Sequence, residues 1–151
     1  MPEPTYRQAT RDDAEDIAAV GALVLGELGE ASGLPGPMTP EAVAARMRDY
    51  GDRGAMFVCQ RDEGVCGFAA LEPDPEQSEG AVMGVWLVPG ARRQGTGREL
   101  ALMALEFARA AGYAKVRGTL PPGNEAALSF FSEIGALAQV VGQGMQYELP
   151  L

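Results

Sequence analysis

Residues 85 to 98 read Val-Trp-Leu-Val-Pro-Gly-Ala-Arg-Arg-Gln-Gly-Thr-Gly-Arg: an apolar run stopped by Pro89, a turn rich in glycine and arginine, then the start of a helix. A buried-type strand that feeds a helix through such a turn belongs to a layered α/β architecture. The glycines expose backbone amides in the turn and the helix N-terminus adds partial positive charge, so together they make a cradle for an anion. Three of the twelve basic residues, Arg92, Arg93 and Arg98, stand here although the net charge is −9, so this local cation excess opposes the average field. A phosphate or diphosphate is the expected ligand, and the bland alternative is a glycine-rich loop with solvated arginines. Other phosphate motifs fit less well, since a P-loop ends in Gly-Lys-Ser/Thr and a dinucleotide fingerprint needs glycine where Leu100 stands.

Periodicity and punctuation place the remaining elements. Residues 5–9 predict a short strand, and Thr10 with Asp13 resembles a capping box opening a helix whose buried stripe is Ile17, Val20, Val24 and Leu28. That helix should end between Gly29 and Gly33, ahead of a Gly/Pro loop reaching Pro37. Thr39 caps a second helix with Pro40 in its first position, running to about Tyr50. Residues 55–61 and 65–71 flank Asp62-Glu63-Gly64 and predict a hairpin, followed by an acidic loop over 72–80 and a third strand over 81–88. A long helix follows from about Gly97 to Ala111, ended by Gly112, then a strand over 115–120 and the forced loop Pro121-Pro122-Gly123. Asn124 would cap a helix carrying Leu128, Phe131 and Ile134, stopped by Gly135, and residues 137–141 and 145–149 close the chain as two strands. The prediction is one α/β domain over residues 1–151, with a single mixed, mostly antiparallel central sheet and helices on both faces.

Composition removes several chemistries. There is no histidine, so no His-dependent triad, His-ligated metal or imidazole base can be built, and a general base must be Asp, Glu, Tyr, Lys or a terminal amine. Cys59 and Cys66 are too few for a disulfide scaffold and lack zinc-site spacing, so free thiols and no metal are expected. The net charge argues against nonspecific nucleic-acid binding. The apolar runs are too short to span a membrane and Met1-Pro2-Glu3-Pro4 lacks the basic start of a signal peptide, which predicts a soluble, cytoplasmic chain.

The pattern Pro89-x-x-Arg92-Arg93-x-Gly95-x-Gly97 after an apolar strand, with Asn124 and Phe130-Phe131-Ser132-Glu133-Ile134-Gly135 downstream, resembles the acyl-CoA signature of the GNAT superfamily of N-acetyltransferases. The order of elements is similar over nearly the whole chain. This resemblance implies acetyl-CoA as co-substrate and a primary amine, on a small molecule or a protein, as acceptor. It implies that the backbone of Val85, Trp86 and Leu87 pairs with the pantetheine arm, with an amide of the Leu87 region stabilising the developing oxyanion. Arg92, Arg93, Gln94, Gly95, Thr96, Gly97 and Arg98 match the diphosphate loop. Asn124 matches a residue that hydrogen-bonds the pantetheine arm, and it reads equally as a helix cap.

Two positions depart from the family pattern. The carboxylate often found on the strand before the loop aligns with Ala81, and Glu79, on the same face if the strand continues, is the candidate base against the reading of a solvated loop carboxylate. The family's tyrosine in the Asn-capped helix aligns with Phe131, which has no proton to give. Tyr113 and Tyr147 are substitutes that read more readily as packing residues, and Ala136 stands where an aromatic is common. These departures keep a non-catalytic acyl-CoA-binding module as the alternative. Glu27, Glu30 and Glu41 hint at a cationic acceptor, and the closing hairpin offers strand edges through which two copies could pair as a homodimer.

Overall fold

The computed structural model describes residues 4–28, 34, 38–91, 95–120, 137–141 and 144–151. Strand β1, Thr5–Gln8, leads to Thr10, whose amide donates to the Asp13 carboxylate at 2.8 Å. A short 3-10 turn, Arg11–Asp13, then opens helix α1, Ala14–Leu28, so the capping box acts one turn before the α-helix proper. Arg7 of β1 donates twice to the same carboxylate, at 2.7 and 2.8 Å, and its guanidinium holds the Asp13 carboxyl below the usual carboxylate range. Helix α2, Pro40–Tyr50, starts where proline and the Thr39 cap require, with the Thr39 hydroxyl accepting from the Ala42 amide at 3.1 Å.

Strands β2, Ala55–Arg61, and β3, Gly64–Pro73, form the expected hairpin. Strand β3 runs past the predicted end at Leu71, because Glu72 and Pro73 pair with Val82 and Ala81 of β4, Gly80–Leu87. A 3-10 turn, Pro89–Ala91, precedes helix α3, Thr96–Ala110, which ends where Gly112 takes a φ of 88°, the left-handed conformation glycine adopts without strain. Strands β5, Lys115–Leu120, β6, Leu137–Val141, and β7, Gly144–Pro150, complete one sheet in the order β1-β2-β3-β4-β5-β7-β6. Every neighbouring pair is antiparallel except β4 with β5. The predicted Asn124 helix lies outside the described residues.

The two faces of the sheet carry separate cores. On one, Ile17, Val20 and Val24 of α1 and Val43 and Tyr50 of α2 pack on Met56, Val58, Phe68, Ala70 and Trp86. On the other, Leu100, Ala101, Ala104, Leu105 and Ala108 of α3 pack on Phe57, Ala69, Leu71, Ala81, Met83 and Val116. This is the mixed, mostly antiparallel sheet with helices on both faces that the sequence predicts. Among the described residues, no helix is long and apolar enough to cross a membrane.

Candidate functional site

The parallel pair is where the sheet opens. Strands β4 and β5 pair over Gly80–Val82 and Lys115–Arg117, while β4 runs on to Leu87 and β5 to Leu120. Among the described residues no ladder pair joins the two strands beyond Val82 and Arg117, so they form the arms of a fork with its closed end at that pair. Backbone direction along β4 is fixed at both ends. The Glu79 carbonyl accepts from the Ala114 amide on the β5 side at 2.9 Å, and the Val88 amide donates to the Cys66 carbonyl of β3 at 3.0 Å. Successive residues of a strand point their amides to alternate sides, so those of Met83, Val85 and Leu87 are directed into the fork and that of Trp86 toward β3.

Helix α3 brings its N-terminus to the same strand. Gly95 caps it with φ 81° and ψ −1°, and Thr96, in the first turn, is buried. A Cβ built on Gly97 would lie 3.4 Å from Leu87 Cδ1 and 3.8 Å from Val85 Cγ1, so the first turn rests on the side chains of the very residues whose amides face the fork. The amides of Thr96, Gly97 and Arg98 belong to the turn that an α-helix leaves without intrahelical acceptors, at the positive end of its dipole. An extended ligand that ends in an anion fits this arrangement, with the arm in the fork and the charge at the helix terminus. Arg92, Arg93, Gln94 and Asn124 lie outside the described residues.

The remaining candidates are placed as follows. Trp86 is buried on the α1–α2 face, its ring 5.0 Å from that of Phe68 and lying across Gly84, where a Cβ would meet three indole atoms within 2.9 Å. Glu79 is exposed, in the turn just before β4. It stands eight residues from Leu87, roughly 26 Å along an extended strand, so these two catalytic candidates cannot both touch one amine. Tyr113 is a packing residue, its hydroxyl donating to the Arg53 carbonyl at 2.5 Å and its ring under the Arg53 guanidinium. Glu27 and Glu41 are exposed, and the side chain of Tyr147 lies outside what is described.

Two charged clusters on the α1–α2 face were not anticipated. Glu72, paired in register with Val82, accepts from Arg46 at 2.9 and 3.1 Å and from the Tyr50 hydroxyl at 3.1 Å. Burial pushes the Tyr50 phenol up to about 12. Arg117, at the closed end of the fork, holds Asp74 through two hydrogen bonds, one of them at 2.8 Å, and also reaches Glu76 at 3.3 Å. The Asp74 side chain is 1% exposed and the Arg117 guanidinium keeps its carboxyl well below the usual range. Residues 72–76 alternate acid and proline, which reads as a solvated loop, and only the sheet register brings them to Arg46 and Arg117.

A family model described as the acetyltransferase (GNAT) family matches residues 28–136. The chain is similar in structure to a ribosomal-protein-alanine N-acetyltransferase from Brucella melitensis, with TM-score 0.82 and 20% identity over 97% of this chain and 99% of that one. It is similar to a GNAT superfamily phosphinothricin acetyltransferase from Sinorhizobium meliloti in complex with acetyl-CoA, with TM-score 0.83 and 18% identity over 99% and 89% of the two chains. An N-acetyltransferase from Staphylococcus aureus Mu50 gives TM-score 0.78 and 21% identity over 99% of each chain. Among curated proteins no match was found.

Proposed function

The chain belongs to the acetyltransferase (GNAT) family, and from that premise we propose that it acts as a single domain that transfers the acetyl group of acetyl-CoA to a primary amine on a small molecule or a protein. The observation that carries this reading is the fork, whose β4 amides are aimed at the gap beside the N-terminus of α3. Acetyl-CoA, when bound, supplies an activated thioester. The amides of Gly95, Thr96 and Gly97 would hold its diphosphate, with Arg92, Arg93, Gln94 and Arg98 around it. Val85 would align the pantetheine arm along β4, with Trp86 behind it as a wall and Asn124 as a further donor. A β4 amide directed into the fork would donate to the thioester oxygen as negative charge builds there, that of Leu87 if the arm folds back and that of Met83 if it runs extended, while the amine attacks directly with both substrates bound.

Proton acceptance separates two arrangements. Glu79 would serve an amine only at the closed end of the fork, where the Met83 amide rather than that of Leu87 would donate to the thioester oxygen. With the reaction at Leu87, solvent takes the proton. Replacing Glu79 by Gln distinguishes them: a fall in kcat of tenfold or more, about 1.4 kcal/mol, with unchanged acetyl-CoA affinity supports the closed end, and unchanged kcat removes Glu79 from the chemistry.

The reading itself is tested by thermal-shift titration with acetyl-CoA, CoA and ATP. Acetyl-CoA at 100 times its dissociation constant should add about 2.7 kcal/mol of stability, and ATP none. No response to acetyl-CoA would overturn the reading. Binding without thiol release across a panel of amines would identify a non-catalytic acyl-CoA-binding module.

A further inference from the structure

Cys59 and Cys66, the only cysteines in the chain, touch one another: their sulfurs are 3.0 Å apart, and the Cys66 thiol also donates to the Cys59 carbonyl at 3.4 Å. In a regular β2–β3 ladder these side chains would stand on opposite faces, because Cys59 pairs with Gly67 and neighbouring residues alternate. The register slips here. Gln60 pairs with Val65, which leaves Cys66 as the extra residue of a β-bulge and turns its side chain to the α3 face beside Cys59. Both thiols are reduced and buried, Cys59 at 0% exposure and Cys66 at 7%.

The bulge abuts the candidate site. The Cys66 carbonyl is the acceptor for the Val88 amide, and a Cβ on Gly67 would lie 2.4 Å from Leu87 Cδ2 and 3.0 Å from the Trp86 carbonyl. A change at Cys66 is therefore one hydrogen bond from the end of β4.

We propose that Cys59 and Cys66 are a redox modification site, closing to a reversible intrachain disulfide when a small peroxide reaches them. The 3.0 Å between the two sulfurs has to shorten by only about 1 Å to reach the roughly 2.05 Å of a disulfide bond. Burial pushes the Cys59 thiol up to about 12, so Cys59 stays protonated and Cys66, the more exposed, reacts first. Cys66 gives its proton to solvent, its thiolate attacks one peroxide oxygen and the O–O bond breaks, giving a sulfenic acid and hydroxide, which takes a proton back from solvent and leaves as water. The Cys59 sulfur then attacks the Cys66 sulfur, the S–OH bond breaks, and the departing hydroxide takes the Cys59 proton. Two thiols are oxidised, one peroxide is reduced, and two waters are formed. Burial makes the first step slow, so the site responds to sustained rather than brief exposure.

The inference is independent of acetyl transfer, and the test uses the full chain. Protein is exposed to hydrogen peroxide, denatured in excess N-ethylmaleimide and weighed intact. The expected product is monomeric, carries no maleimide, is lighter by two hydrogens, and regains both alkylation sites after dithiothreitol. Under the same exposure Cys59→Ala should gain oxygen on Cys66 instead. Should that variant not fold, the wild-type mass decides alone. Two maleimides on the treated wild type, oxygen located on either cysteine rather than on the seven methionines, or a disulfide-linked dimer would each overturn the proposal.

Discussion

On the α3 face the sheet meets Ala91, Ala101, Ala104 and Ala108, all fully buried, and among the described residues the titratable side chains buried in that core are two thiols and the Tyr113 phenol, with Tyr6 packed against it. On the α1–α2 face, Arg46 and Tyr50 close over Glu72, and Arg117 over Asp74, at the edge of a core of larger side chains. Small residues let a helix approach a strand until backbone itself is the recognition surface, whereas paired charges fix a surface only when both partners arrive. The proposed cofactor half is thus set by residue size along one continuous segment, and the face beside it by ion pairs between segments far apart in sequence.

The largest effect expected on that contrast is at Gly97. Gly97→Glu has room for its Cβ but places a carboxylate at the helix terminus, and should weaken acetyl-CoA binding by more than about 100-fold while circular dichroism is unchanged. Wild-type affinity by calorimetry would remove the cradle from the site. Next is Arg117→Ala, which strands the Asp74 carboxylate in the interior and should cost about 3 kcal/mol in urea unfolding. A loss below about 1 kcal/mol would mean that solvent reaches Asp74 and that the charged face is as adaptable as an ordinary surface.

The smallest is the dependence on pH. The folded-state values of Asp13 and Asp74 lie below their unfolded ones, so their stabilisation is complete above about pH 4 and is lost as pH falls through the folded values. Urea midpoints should therefore decline steadily below pH 4, and the decline should shrink when Asp74 is replaced by Asn. An undiminished slope in that variant would place the titration elsewhere.

What the sequence shows and hides follows the same division. Thr39-Pro40, Gly112, and the strand–turn–helix from Val85 to Arg98 act on their own backbone, so their consequences are readable from neighbours. One mixed sheet with helices on both faces follows from the succession of such segments, whereas the placing of β7 between β5 and β6 does not. The extension of β3 through Glu72 and Pro73 is a different matter, since an acidic, proline-bearing stretch reads as loop until β4 offers it a ladder. Arg46, Glu72, Asp74 and Arg117 are individually unremarkable charges, and only the register that sets Glu72 opposite Val82, and Val82 opposite Arg117, makes them a group. The thiol pair is hidden for a related reason, because simple alternation separates the two cysteines and one bulge reunites them. Glu79 and Leu87 were each reasonable from motif alone, and the length of an extended strand sets them against each other.

The position of β7 has a consequence for how the sheet is completed. It is inserted between β5 and β6, so β5 gains its second neighbour only from the later of the two closing strands. A ribosome delivers β5 well before β7, and in that interval the β5 edge is a row of unmatched amides and carbonyls able to accept any extended segment. The fork arm is thus the last part of the sheet to be secured, and folding intermediates of this chain should be most vulnerable to strand exchange along β5.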